Sequence, residues 1–247
     1  MRRGYLYVIS AALIIGAFVA TSETVRERYE LYRDPTANNA TAIGSRHLDT
    51  PHPKQYDIST AEKYFRLAIK LDPTFVVAHH QLARVHFLQG RYPEALEEVN
   101  LAISNDEIGA YAPAYYLRGL IAGYMQDYES AVRDYTHYVA LNPKGWEGRV
   151  DLAWVLIKTK DYTTALAVID EGLKEWPGNP WLLSVRATTL FESGRINEAL
   201  ITVYEARDAV QEITPIMWAK AYPGNDPAAA GVGIETIRNA VAKNVEI

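Results

Sequence analysis

The sequence predicts an all-α fold, a solenoid of antiparallel helix pairs, and two recurrences predict it. Alanine returns inside similar phrases, STAEKYFRLAIKLDP, YPEALEEVNLAI, YESAVRDYTHYVALNP, YTTALAVIDEGLKEWP and INEALITVYEA, at Ala61, Ala95, Ala131, Ala165 and Ala199. The intervals are 34, 36, 34 and 34 residues, and a period near 34 marks helix-turn-helix units that bury their apolar faces by stacking on one another. Pro73, Pro143 and Pro177 fall in step with these phrases, each where a ring without an N–H ends a helix.

Composition narrows the function classes. The chain has 247 residues, 49% hydrophobic and 22% charged, an ordinary globular balance that allows a core. A net charge of −5 gives no general attraction to phosphate backbones, and no basic patch interrupts it, so nucleic acid is not an expected partner. With no cysteine there is no disulfide, thiolate nucleophile or zinc thiolate.

The first element, residues 1–22, begins with Arg2 and Arg3 and continues with an uncharged stretch of 19 residues, Gly4 to Ser22. As a helix this would span about 28 Å, close to the hydrocarbon thickness of a bilayer. It is expected to be a transmembrane anchor, with a cleaved signal peptide as the alternative; cutting after Ser22 would leave Ala20 at the −3 position. The basic-then-apolar order favours repeats on the extracytoplasmic side, secreted or periplasmic if the segment is removed. Residues 23–54 read as a polar helix from Thr21 to Arg33 followed by a flexible linker, because Asp34 to Lys54 collects Pro35, Gly44, Pro51 and Pro53 among polar residues. The triplet Asn39-Ala40-Thr41 inside it is a glycosylation acceptor pattern that matters only in a glycosylating secretory pathway.

Residues 55–212 hold the array. Ser59 and Glu62 have capping-box spacing and start a lone helix that covers the first complete pair. Four complete pairs follow, with two extra residues near Asn105 to Ala110. Residues 213–247 read as capping helices: a short one from Pro215 to Tyr222, a break at PGNDP, and an amphipathic one from Ala228 to Asn244. Without such ends the terminal repeats would expose a row of apolar side chains.

These phrases resemble the tetratricopeptide repeat (TPR) family over roughly Ile58 to Gln211. Small residues stand at position eight of the first helices, Ala83, Gly119, Ala153 and Ala187, where paired helices approach closely. Gly90, Asp127, Asp161 and Gly194 fall at the turn, and Tyr92, Tyr128, Tyr162 and Ile196 open the second helices. Glu107 and Gln211 depart from the pattern by replacing the closing proline, and Tyr138 and Gly172 by replacing the second alanine. The resemblance implies a right-handed superhelix, a protein or peptide segment as partner, and a concave groove lined by first helices. Carried onto this chain, the groove positions are His80, Arg84 and Phe87; Tyr116, Leu120 and Tyr124; Val150, Trp154, Ile157 and Lys158; and Trp181, Ser184, Thr188, Phe191 and Glu192. Exposed aromatics would be costly unless they anchor a partner, and packing between repeats is the competing explanation for several of them. The two-carboxylate clamp of the co-chaperone subset is absent, since its positions hold His80, Gln81, Arg84, Leu117, Glu147 and Asp151.

No catalytic constellation accompanies the repeats: there is no G-x-S-x-G elbow, Walker loop or H-E-x-x-H. His79, His80 and His86 come nearest to a metal set, but they lack zinc spacing and are expected in the core or at its boundary. The acidic runs Glu94, Glu97 and Glu98, and Glu171, Lys174 and Glu175, are expected to be solvated outward faces. The sequence thus points to a non-catalytic scaffold without cofactor or metal, with a permanent structural subunit of a membrane or envelope complex as the alternative.

Overall fold

The computed structural model describes residues 23–50, 52–221 and 230–245, with side chains excluded for 219, 220 and 240–245. Among these residues there are thirteen helices and no strand. They are α1 Glu23–Arg33, α2 Ala37–Leu48, α3 Ile58–Leu71, α4 Val76–Leu88, α5 Tyr92–Asn105, α6 Ala112–Tyr124 and α7 Tyr128–Leu141. The rest are α8 Glu147–Lys158, α9 Tyr162–Glu175, α10 Pro180–Glu192, α11 Ile196–Gln211, α12 Pro215–Ala221 and α13 Ala230–Val245. The apolar stretch Gly4 to Ser22 and the PGNDP break lie outside the described residues. No helix among the described residues is long and apolar enough to cross a membrane.

Helices α2 to α11 form five successive pairs, each packed on the next. This corrects two expectations, the flexible linker over 34–54 and the lone helix α3. Helix α2 occupies most of that linker and pairs with α3, burying Ala37, Ala40, Ile43, Gly44 and Leu48. Thr36 caps it by accepting from Asn39 N, while the Asn39 amide donates to Asp34 O at 2.9 Å. The glycosylation triplet is therefore part of a helix start, with Thr41 buried. The capping box is also corrected: Asp57 is the N-cap of α3, accepting from Thr60 N, and Glu62 instead binds Arg66 and Arg91.

Helix approach within a pair depends on small residues under large ones. A β-carbon at Gly119 would lie 3.0 Å from Tyr135, and one at Gly44 would lie 2.6 Å from Phe65. Between pairs the sizes alternate. Tyr138, standing where a small residue is expected, lies over Gly148, where a β-carbon would come within 2.3 Å of its ring; Gly172 in turn makes room for Leu182. The departures from the repeat pattern are thus matched across the next interface, a volume-conserving solution that keeps the core dense.

Each first helix from α4 onward ends on a left-handed residue: Gly90, Gln126, Lys160 and Gly194. The turn assigned to Asp127 and Asp161 therefore sits one residue earlier. The aspartates instead cap α7 and α9, accepting from Ser130 N and Thr164 N. The longest connection between consecutive pairs from α3 onward, 106–111, falls where the extra residues were expected; Asp106 accepts from Tyr111 N and Gly109 takes a positive φ.

At the front, α1 meets the array through a buried carboxylate. Glu27 accepts from Tyr64 OH at 3.1 Å and pairs with His47 Nε2 at 2.8 Å. At the back, α12 and α13 cover the last pair with a cluster of Leu183, Ala206, Val210, Ile213, Trp218, Ala230 and Ile234. Both ends of the array are therefore capped, as a solenoid requires.

Candidate functional site

The candidate site is the surface of the first helices α4, α6, α8 and α10, and the structure divides its expected residues into two groups. Near α4 they are committed to internal contacts. His80 is buried, its Nδ1 lying 3.2 Å from Tyr111 OH, and burial lowers its pKa to about 3, which keeps it neutral. Arg84 pairs with Asp49 at 2.8 Å and donates to Gln81, so its charge is already matched by the connection following α2. The sequence placed Arg84 among the groove positions. It missed Asp49 because that residue sits in the stretch read as linker.

Phe87 packs edge-on against Tyr124, with centroids 5.1 Å apart, and Tyr92 completes the cluster. Tyr116 and Leu120 belong to the core between pairs. Thr188 bonds to Ser184 O of its own helix. Trp181 stacks on Trp146 at 4.8 Å. Packing therefore accounts for part of Phe87, Tyr116 and Trp181. Three aromatics on successive first helices remain exposed: Tyr124 at 60%, Trp154 at 44% and Phe191 at 46%.

Between α8 and α10, with Ile237 of α13 on its edge, lies a cavity of about 340 Å³ lined by Asp151, Trp154, Lys158, Trp181, Thr188 and Glu192 among others. Lys158 holds its ammonium 5.2 Å from the Trp154 ring centroid. Asp151, absent from the expected groove residues, is the group that the structure adds. Tyr116 OH donates to its Oδ2 at 2.7 Å, yet burial outweighs that bond and, with Glu147 one turn away, raises its pKa to about 6. Burying a carboxylate without a counter-charge disfavours the ionised form. Its signal in sequence was only its place one turn from Trp154 on a first helix.

The histidines do not assemble. His79 faces two acceptors, Glu98 Oε2 at 2.7 Å and Pro73 O at 2.8 Å, which raises its pKa, whereas His86 is buried with its pKa lowered by burial. No cluster of three potential metal ligands occurs among the described residues.

The helix pairs and their repeated surface define the class as an α-solenoid repeat protein. Two tetratricopeptide-repeat family models match, over residues 64–97 and 116–180. Human tetratricopeptide repeat protein 6 is 27% identical over 129 residues, 52% of this chain and 24% of that protein. The match therefore spans about a quarter of that relative. Among solved structures, YrrB, described as a TPR protein with an unusual peptide-binding site, superposes with a TM-score of 0.61 at 16% identity, covering 75% of this chain and 93% of its own. A thermophilic TPR protein of Thermus thermophilus gives 0.59 at 17% identity, covering 86% and 100%. MamA gives 0.59 at 18% identity, covering 72% and 98%. Together these matches support tetratricopeptide repeats in this chain and an all-α TPR solenoid fold; such proteins typically mediate protein–protein interaction and are generally non-catalytic scaffolds.

Proposed function

We propose that this protein is a non-catalytic scaffold that holds a segment of a partner protein in a groove lined by α6, α8 and α10, with residues 4–22 fixing it to a membrane and the repeats on the extracytoplasmic side. The observation that carries this reading is the exposure of Tyr124, Trp154 and Phe191 on three successive first helices. Large aromatic faces kept in water serve as anchors for a partner. Peptide binding by YrrB, a similar fold, agrees with it.

A second reading, a permanent subunit of a membrane or envelope complex, draws on helix α11. Ile196, Leu200 and Tyr204 lie four apart and form an exposed apolar stripe flanked by Ile201. The two readings separate in a capture experiment from detergent-solubilised membranes with the intact chain. Trp154→Ala combined with Phe191→Ala is expected to lose the captured partner while Leu200→Ser combined with Ile201→Ser keeps it. The reverse pattern would move the contact to α11 and favour the permanent subunit.

A further inference from the structure

We propose that the cavity between α8, α10 and α13 receives a lysine or arginine side chain of the partner segment, with the Asp151 carboxylate as its counter-charge and the Trp154 ring as its cation–π face. The inference rests on the scaffold reading and specifies the chemistry of the partner.

Three features of the cavity converge on a cation. First, Asp151 receives a hydrogen bond at Oδ2 from Tyr116, while Oδ1 has no donor and no cation lies within ion-pair distance among the described residues. A half-buried carboxylate whose second oxygen opens to the cavity without a protein donor gains from an incoming N–H cation. Second, the lining carries Asp151 and Glu192 against Lys158, and Glu147 lies one turn from Asp151, so its charge balance is negative. A partner carboxylate would meet repulsion, and an apolar group would leave Asp151 desolvated without a partner. Third, the Trp154 ring already faces a cation, because Lys158 places its ammonium 5.2 Å from the centroid. That lysine is exposed, so a basic side chain held by both Asp151 and the indole could displace it toward solvent. At about 340 Å³ the space is at the small end of ligand-sized cavities, fit for one side chain rather than a bulky ligand.

The test uses the intact chain in detergent and fluorescein-labelled decapeptides identical except for a central lysine, arginine, norleucine or glutamate. The lysine and arginine peptides are expected to bind about five- to tenfold tighter than the other two, the scale of a desolvated cation–π contact joined to a charged hydrogen bond. Asp151→Asn should remove that preference while leaving norleucine binding in place. Lys158→Met should tighten the lysine and arginine peptides by freeing the indole face. Equal binding of norleucine and lysine overturns the inference but leaves the groove intact. Preferential binding of glutamate, lost in Lys158→Met, makes the cavity an anion site and also overturns it. Binding of none of the four peptides removes both the inference and the groove.

Discussion

Replacing Phe65 by alanine is expected to lower stability by about 3–5 kcal/mol, the usual consequence of truncating a fully buried aromatic. Phe65 has no exposed surface and its ring fills the space above Gly44, in a cluster with Leu48, Ala61, Leu82 and Val85. Solenoid stability is a sum of units and nearest-neighbour interfaces, so the loss should be local. Hydrogen exchange of the variant should show α2 and α3 unprotected while α6 to α11 keep their protection. Gly44→Ala should act in the same place through overpacking. Its β-carbon would lie 2.6 Å from the ring, and the cost of about 1–3 kcal/mol exceeds the helix-propensity gain of about 1 kcal/mol. Unchanged protection in α2 would show that it is not a working member of the array.

Asp151→Asn is expected to raise stability at pH 8 and to do little at pH 4. The folded-state pKa of Asp151 is about 6, above its ordinary value of 3.8. Below 3.8 the proton is bound in both folded and unfolded chains, so the group exerts no pH effect there. From 3.8 to about 6 the folded chain holds the proton more tightly, and stability falls as pH rises; above that window the loss is complete. The shift corresponds to at most about 3 kcal/mol, and the part of Asp151 that faces the cavity reduces the expected gain to about 1–2 kcal/mol. Asparagine retains an acceptor for Tyr116 OH without the charge. His79 adds a slope of the same sign at higher pH. Its Glu98 and Pro73 contacts raise its pKa, so its stabilisation is full below 6.5 and is lost as pH rises through the raised value. Thermal melts of wild type and Asp151→Asn between pH 4 and 9 check this. An equal gain at both pH values would assign the effect to packing rather than charge. A gain at pH 8 together with weaker lysine-peptide binding would mean that Asp151 is kept at a stability cost for recognition.

The repeats from α3 to α11 were legible because a fixed small-residue interval records where helices touch, and close approach leaves few choices at Ala83, Gly119, Ala153 and Ala187. Helix α2 was not, for a geometric reason. Gly44 stands 17 residues before Ala61, whereas Ala83 stands 12 before Ala95. Counting back 34 from Ala83 therefore lands on Asp49, beyond the helix that does the packing. The Asn, Thr and Ser residues of α2 are weak helix formers, and tertiary burial against α3 overrides that propensity. The sequence put the expected groove residues on first helices, where the structure also has them, but left open which of them pack. Phe87 and Trp181 turn partly inward because each meets another aromatic across a repeat boundary, and Tyr116 because Tyr135 and Tyr138 of its own pair flank it, partners set by three-dimensional stacking. Arg84 and Asp151 exchange expected roles for a similar reason. The first finds a counter-charge from a neighbouring connection, and the second is half-buried against Tyr116 of the preceding pair.

The most direct measurement of the central claim, that first helices hold a partner segment, is site-specific photo-crosslinking in cells that express the intact chain. Benzoylphenylalanine would replace Tyr124 on the first-helix surface in one variant and Ile201 on α11 in another, both exposed in the free chain. The account predicts one discrete crosslinked partner from position 124, lost when Trp154 and Phe191 are also replaced by alanine, and none from position 201. Crosslinking from position 201 alone, or crosslinking at 124 that survives loss of both aromatics, would contradict it.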